Sequence, residues 1–225
     1  MLGDELRDLK NKLSTAEGII GKEKRYFNSV VLIPLVKLNS KYQLLFQRRA
    51  EGIPQANEIC FPGGKYEKEI DQNYQAAAIR ETEEELGIES DRINPFGKLG
   101  TMIVPLGLTV DAFIAYLDIT SLKDLELNYE EVIEVFTIPL EYFKHNPPQK
   151  HSILIKMFPY DIDQAGEKKT LLPVEKLDLP EKYATPWKGN QRNIFVYPTK
   201  NGIIWGITAE LIVELINKIE DDKFT

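Results

Sequence analysis

Apolar positions change their spacing several times along the chain. Leu2, Leu6, Leu9 and Leu13 recur at intervals of three and four with charges between them, which predicts a helix over residues 1–24. From Tyr26 the pattern switches. Val30-Val31-Leu32-Ile33 is a continuous apolar run, and Tyr42-Gln43-Leu44-Leu45-Phe46 follows the Asn39-Ser40 turn signal, as in a two-stranded hairpin. Pro62-Gly63-Gly64 marks a loop. Helical spacing then resumes over 73–86 and stops at Gly87, the residue type expected just past a helix C-terminus. Short strands are expected over 100–104, 109–117 and 131–137, with a short helix over 140–145 ahead of Pro147-Pro148. Residues 146–193 hold six of the 13 prolines and no sustained apolar period, so an irregular excursion with one hairpin near 153–158 is expected there. Strands at 194–196 and 202–205 precede a last helix, capped by Thr208, with Leu211, Leu215, Ile216 and Ile219 on one face. Strands and helices do not alternate regularly, which points to a mixed α/β or α+β fold rather than a doubly wound parallel sheet.

Composition narrows the function classes. The 225 residues are 43% hydrophobic and 28% charged, an ordinary globular balance with material for a real core. Twenty-eight basic against 35 acidic side chains leave a net charge of -7, which argues against general nucleic-acid binding. A phosphorylated small molecule stays open, because a bound cation can reverse the local sign. One cysteine, Cys60, excludes an internal disulfide framework, and two histidines are too few for a His-rich metal site. The longest nearly unbroken apolar run, residues 30–36, is far short of a membrane span. Asp4, Glu5, Arg7 and Asp8 stand where a signal peptide would need an apolar stretch. The expectation is a cytoplasmic protein with neither a membrane nor a nucleic acid as partner.

The chemistry concentrates between Phe61 and Ile88. Glu81, Glu84 and Glu85 lie at offsets of three and four and so share one helix face. Such a stripe ordinarily belongs to a solvated acidic surface. Here, however, Arg80 directly precedes it, Gly87 ends the helix and a Gly-Gly loop comes before it. Three like charges on one face repel, and a hard divalent cation, which prefers carboxylate oxygens and shares substrate phosphates, relieves that repulsion.

Arg80-Glu81-Thr82-Glu83-Glu84-Glu85-Leu86-Gly87-Ile88 resembles the second half of the Nudix box. The first half departs from it. The positions of the box's first Gly and first Glu fall on Tyr66 and Gln72, and Gly64 lies two residues further upstream. The loop is thus longer than the consensus, with Asp71 or Glu69 available as its carboxylate. Upstream, Leu44-Leu45-Phe46-Gln47-Arg48 and Glu58-Ile59-Cys60-Phe61-Pro62-Gly63-Gly64 resemble the extended signature of the coenzyme A pyrophosphatase branch. Residues 131–140 and 204–209 are similar to later segments of the same branch. The branch's second Arg falls on Ile53 and its Gly on Asn57.

The resemblance implies a Nudix-type α/β/α sandwich with a mixed sheet between helices, as one domain over 25–225 with an insertion at about 146–193. It also implies hydrolysis of a pyrophosphate bond in a small nucleotide-derived substrate, with coenzyme A or its thioesters preferred and ADP-sugars or dinucleotides as the alternative. A Nudix-fold binding module without catalysis is the reading from a different class. By the same resemblance Glu81, Glu84 and Glu85 hold Mg²⁺ or Mn²⁺, and Arg80 fixes a ligating carboxylate or the loop through a forked pair. Gly63 and Gly64 let the backbone bend close to the helix start and the substrate. Glu131 and Glu134 are candidate bases outside the box, with Glu131 preferred. Arg48 or Arg49 is a candidate for phosphate contact, with a surface arginine at a strand end as the plain alternative. Phe61 divides between loop packing and ligand contact. Cys60 reads as a buried strand residue, Trp205 as core, and His145 and His151 as surface residues. The N-terminal helix can cap the core or pair two copies as a homodimer.

Overall fold

A computed structural model describes residues 18–105 and 107–221, and divides the chain into two compact units. Of the described residues, the first comprises those of 18–50 and 61–138; the second comprises those of 51–60 and 139–221. Leu2, Leu6, Leu9 and Leu13 of the expected N-terminal helix lie outside the described residues. Of its last part, only the single turn α1 (Lys22–Arg25) is helical.

In the first unit, the apolar run after Tyr26 forms β1 (Phe27–Leu38) and turns at Asn39 and Ser40, both at positive φ, into β2 (Lys41–Arg49). Their antiparallel register sets Leu38 opposite Lys41 and Leu35 opposite Leu44. The glycine loop contributes β4 (Gly63–Lys65), which pairs antiparallel with β1, Val30 facing Gly64. β5 (Ile93–Val104) and β6 (Leu108–Leu117) form a hairpin, and β6 lies parallel to β1. The order in this unit is therefore β2-β1-β6-β5, with β7 (Val132–Pro139) on the other side of β2. One parallel pair among antiparallel ones makes the sheet mixed. β5 begins earlier than expected; two register shifts, beside Pro95 and Gly97 and before Gly100, absorb residues that interrupt the period-two pattern.

The helix expected over 73–86 is α2 (Tyr74–Leu86). Asn73 caps its start, its side chain accepting the Ala76 N–H at 2.9 Å. Gly87 closes it in the left-handed region (φ 59), where a Cβ would also meet the Glu126 carbonyl oxygen at 2.1 Å. Ala77, Ala78 and Leu86 pack with Val30, Leu32, Val36 and Leu45 from one face of the sheet and with Phe113, Ala115 and Leu117. Small alanines let the helix sit close to the strands, and the buried Thr82 hydroxyl is satisfied by the Ala78 carbonyl at 2.7 Å.

The second unit corrects one expectation. Residues 146–193 are more regular than their prolines suggest: β8 (Gln149–Met157) pairs antiparallel with β11 (Trp187–Thr199), and β9 (Tyr160–Ile162) pairs with β10 (Lys168–Thr170). The hairpin expected near 153–158 is instead part of this long ribbon. Every residue of β8 except Ile155 is exposed. No buried face imposes a period of two on the sequence, and so none could be read. The unit also holds β3 (Ile59–Cys60), α3 (Leu140–His145), β12 (Gly202–Trp205) and α4 (Gly206–Asp221). α4 starts two residues before Thr208. Trp205, read as core, is 46% exposed, whereas Phe143 and Tyr197 are buried and pack edge-on at 5.2 Å. No helix among the described residues is long and apolar enough to cross a membrane.

Candidate active site

The site is assembled in the first unit from the loop after β4, the helix α2 and the edge of β2. Arg80 organises it. Its guanidinium grips Asp71 with two parallel hydrogen bonds, Nε to Oδ1 at 2.9 Å and Nη2 to Oδ2 at 3.1 Å. Nη2 also donates to the Lys65 carbonyl at 3.2 Å, and Nη1 lies 2.9 Å from Glu81 and 3.0 Å from Glu84. The forked pair is therefore present, and its carboxylate is Asp71 rather than Glu69. Asp71 in turn accepts the Glu67 N–H at 2.8 Å, so one buried carboxylate ties the long loop to the helix. The Arg80 hydrogen bonds hold Asp71 below its usual pKa and raise that of Arg80 itself. Tyr66 stacks on Tyr74 at 4.1 Å, packing the loop against the first turn of α2.

Backbone from the glycine loop meets the stripe directly. The Gly63 N–H donates to Glu85 Oε2 at 2.9 Å. A Cβ on Gly64 would fall 2.2 Å from Glu81 Oε2, so the absence of a side chain there makes the space the Glu81 carboxylate occupies. Gly63 is equally constrained from the other side, since a Cβ would lie 2.2 Å from the Val30 carbonyl oxygen.

The three stripe carboxylates are in different states. Glu84 is half exposed and turned to Arg80. Glu81 is mostly buried, and burial raises its pKa, Arg80 opposing while Glu84 and Glu131 add repulsion. Glu85 is only 2% exposed, and burial pushes it up to about 7. The Gly63 N–H, the Gln47 amide and the charge of Arg49 pull it down, whereas Glu131 raises it. Among the described residues no three donors stand converged around one point. The donor set still fits a divalent cation by its chemistry: hard oxygen ligands, a cradle that only glycine leaves open, and mutual repulsion that bound positive charge would relieve.

The remaining expected residues separate by the alternation along β2. Leu45 packs toward α2, so Gln47 and Arg49 share its face, in keeping with their influence on Glu85. Arg48 faces the opposite way and pairs with Glu134 at 2.8 Å, beside Phe46 and Phe136. Arg48 is thus drawn away from the stripe, and Arg49 is the arginine that acts on it. Glu134 is held with Arg48, whereas Glu131 is the outside carboxylate whose field reaches both Glu81 and Glu85. Of the two readings open for Phe61, packing fits: it is 3% exposed and stacked on Phe46 at 4.8 Å. Cys60 is half-buried in β3, and His145 and His151 are exposed. Gln47, and the choice of Arg49 over Arg48, became legible only once alternation on β2 could be anchored to α2; Asp71 was one of two candidates.

The NUDIX domain family matches residues 29–160, which contain the loop, the box helix and the β2 edge. This chain belongs to the Nudix hydrolase family. The mouse (Mus musculus) peroxisomal coenzyme A diphosphatase NUDT7 is 33% identical over 116 residues, 51% of this chain and 48% of that protein. The match thus spans about half of the mouse relative's length. Nudix hydrolase 3 of Caenorhabditis elegans is 26% identical over 199 residues, covering 86% of this chain and 74% of its own. Among solved structures, a MutT/nudix family protein from Enterococcus faecalis aligns over 97% of this chain and 69% of its own at 15% identity, with a TM-score of 0.47. The Nudix box of this chain therefore has its Arg-Glu core on a capped helix and its first half remade as a longer loop held by Asp71.

Proposed function

We propose that this Nudix hydrolase cleaves the pyrophosphate linkage of a nucleoside diphosphate derivative with the help of a divalent cation, and that coenzyme A or a thioester of it is the preferred substrate, giving 3′,5′-ADP and 4′-phosphopantetheine. One observation carries the reaction class: the Glu81-Glu84-Glu85 stripe lies against the Gly63–Gly64 loop, with Gly63 bound to Glu85 and Gly64 making room for Glu81. A binding module has no need of repelling carboxylates two of which are buried.

Glu81, Glu84 and Glu85 would hold Mg²⁺ or Mn²⁺. Bound there, the cation supplies charge neutralisation on the phosphate oxygens and acidifies a water. The protein's own residues do the rest. Arg80 fixes the loop through Asp71 and keeps Glu81 and Glu84 in place. Glu131, the carboxylate outside the box whose charge reaches Glu81 and Glu85, would take a proton from water. Arg49, on the box face of β2, offers positive charge to a phosphate, and Arg48 joins it only if its pair with Glu134 opens.

The substrate preference rests on the branch signature and on the similarity to mouse NUDT7. The Asn57 departure is conformationally mild. Asn57 adopts φ 65, the left-handed region that glycine prefers and asparagine tolerates best among other residues. Ile53 removes a positive charge that the signature places there, and so favours weaker grip on the phosphates. Substrate profiling in Mg²⁺ decides: release of 3′,5′-ADP from coenzyme A supports the preference, while rapid turnover of ADP-ribose with none of coenzyme A replaces it with the ADP-sugar alternative. Glu84→Gln tests the class. Hydrolysis of the best substrate at the wild-type rate would remove Glu84 from the ligand set. The cytoplasmic expectation stands beside a mouse relative named as peroxisomal, and imaging of the tagged full chain distinguishes the two.

A further inference from the structure

Gln47 is the one fully buried polar side chain of β2, at 0% exposure. Neither its amide nitrogen nor its amide oxygen completes a hydrogen bond among the described residues. A buried amide left unsatisfied destabilises a fold, so an apolar residue would serve the fold better at this position. The strand before it is apolar: Leu44, Leu45 and Phe46 precede Gln47 and are all completely buried. Gln47 shares the β2 face of Leu45, which packs against α2, the helix that carries Glu85, and its amide influences the Glu85 carboxyl, a second buried polar group. Glu85 Oε2 is already bound by the Gly63 N–H at 2.9 Å, which leaves the rest of the carboxylate to be fixed from the β2 side. Gln43, two alternations earlier on the same strand face, shows the ordinary case: it is half-buried and its amide oxygen accepts from the Thr137 hydroxyl at 2.8 Å.

We propose that Gln47 is a positioning residue for Glu85, its amide holding the carboxylate in the orientation in which it ligates the cation. The inference rests on the reading of Glu85 as a metal ligand and deepens it. Outer partners of metal ligands are worth roughly 10–100-fold in metal affinity. A buried amide kept without a structural partner on its own account, next to a carboxylate half-fixed by backbone, is what such a positioning partner looks like.

The test is Mn²⁺ binding to the full chain without substrate, by calorimetry or by the spin resonance of free Mn²⁺, alongside thermal unfolding in chelator. Gln47→Met keeps the length and removes the amide. Gln47→Asn keeps the amide and withdraws it by one methylene. The expected result is opposite motion: the chelated Gln47→Met protein unfolds at or above the wild-type temperature, while Mn²⁺ affinity falls about tenfold or more in both variants. Gln43→Met, the control on the same strand, changes stability and leaves Mn²⁺ affinity within twofold. Wild-type affinity in either folded Gln47 variant overturns the positioning role and leaves the ligand assignment standing. A wild-type chain that binds no Mn²⁺ at this site overturns the ligand assignment itself.

Discussion

Two buried carboxylates in the first unit, Asp111 and Glu85, have the same near-zero exposure and opposite chemistry. Asp111, on β6, is surrounded by compensation. Lys22 and Lys98 both pair with it, and the Thr101 hydroxyl donates at 2.6 Å. Burial alone would raise its pKa, but these partners together outweigh it and hold Asp111 below its ordinary value. Lys22 also lies 3.7 Å over the Tyr74 ring, so the cluster joins α1, β5, β6 and the start of α2. Around Glu85 stand one backbone N–H, the Gln47 amide, the charge of Arg49 and a repelling Glu131, and burial still pushes its pKa up to about 7. A carboxylate that only stabilises a fold is found with its cations in place. A carboxylate buried without them is a candidate for a site whose ligand brings the charge with it.

The contrast can be broken most directly by neutralising each carboxylate. Glu85→Gln should cut turnover of the best substrate by at least the roughly 10–100-fold typical of disturbed metal surroundings, while the chelated protein is as stable as wild type or more so at pH 8. Turnover near wild type would make Glu85 a second structural acid. Asp111→Asn should do the reverse. Two ammonium groups lose their partner, at a cost of about 3 kcal/mol in denaturant titration, the low end for broken buried pairs because Lys22 and Lys98 keep part of their hydration. kcat of the folded protein should stay within about twofold.

Acid sharpens the same comparison. The folded pKa of Asp111 lies below its ordinary 3.8, so its stabilisation is fully present above that value and is lost as pH falls through the lower folded value. The stability gap between wild type and Asp111→Asn should thus be constant from about pH 7 to about pH 5 and close as the folded carboxylate protonates, below about pH 4. A gap unchanged at about pH 3 would mean that the lysine pairs contribute little. The smallest expected effect concerns the two faces of β2. Arg48 and Glu134 form a partly exposed pair worth at most about 1 kcal/mol, so Arg48→Met should shift stability slightly and KM little, whereas Arg49→Met should raise KM several-fold.

Legibility followed burial. α2 could be read nearly to the residue because its cap, its apolar stripe and its closing glycine are local signals, and a helix that packs on one face must show that face in its sequence. β1, β2, β6 and α3 were legible for similar reasons. The β8–β11 ribbon was not, since exposed strands carry no alternation. Trp205 and Phe61 show the limit for single side chains. An aromatic residue beside a turn reads the same whether it is buried, as Phe61 is, or 46% exposed, as Trp205 is.

For the site, the residue types and their spacing determined what kind of chemistry the chain can do. Glu81, Glu84 and Glu85 share a face because of helical geometry alone, and Arg80 and Gly87 bracket them in the primary sequence. Tertiary structure decided the partners. It selected Asp71 over Glu69 for the Arg80 fork, turned Arg48 away and Arg49 inward, and set Gln47 unsatisfied against Glu85. The reason is physical: a period can be computed from one element, but which face of β2 looks at α2, and which loop carboxylate reaches a guanidinium nine residues along the chain, depend on how separate elements pack.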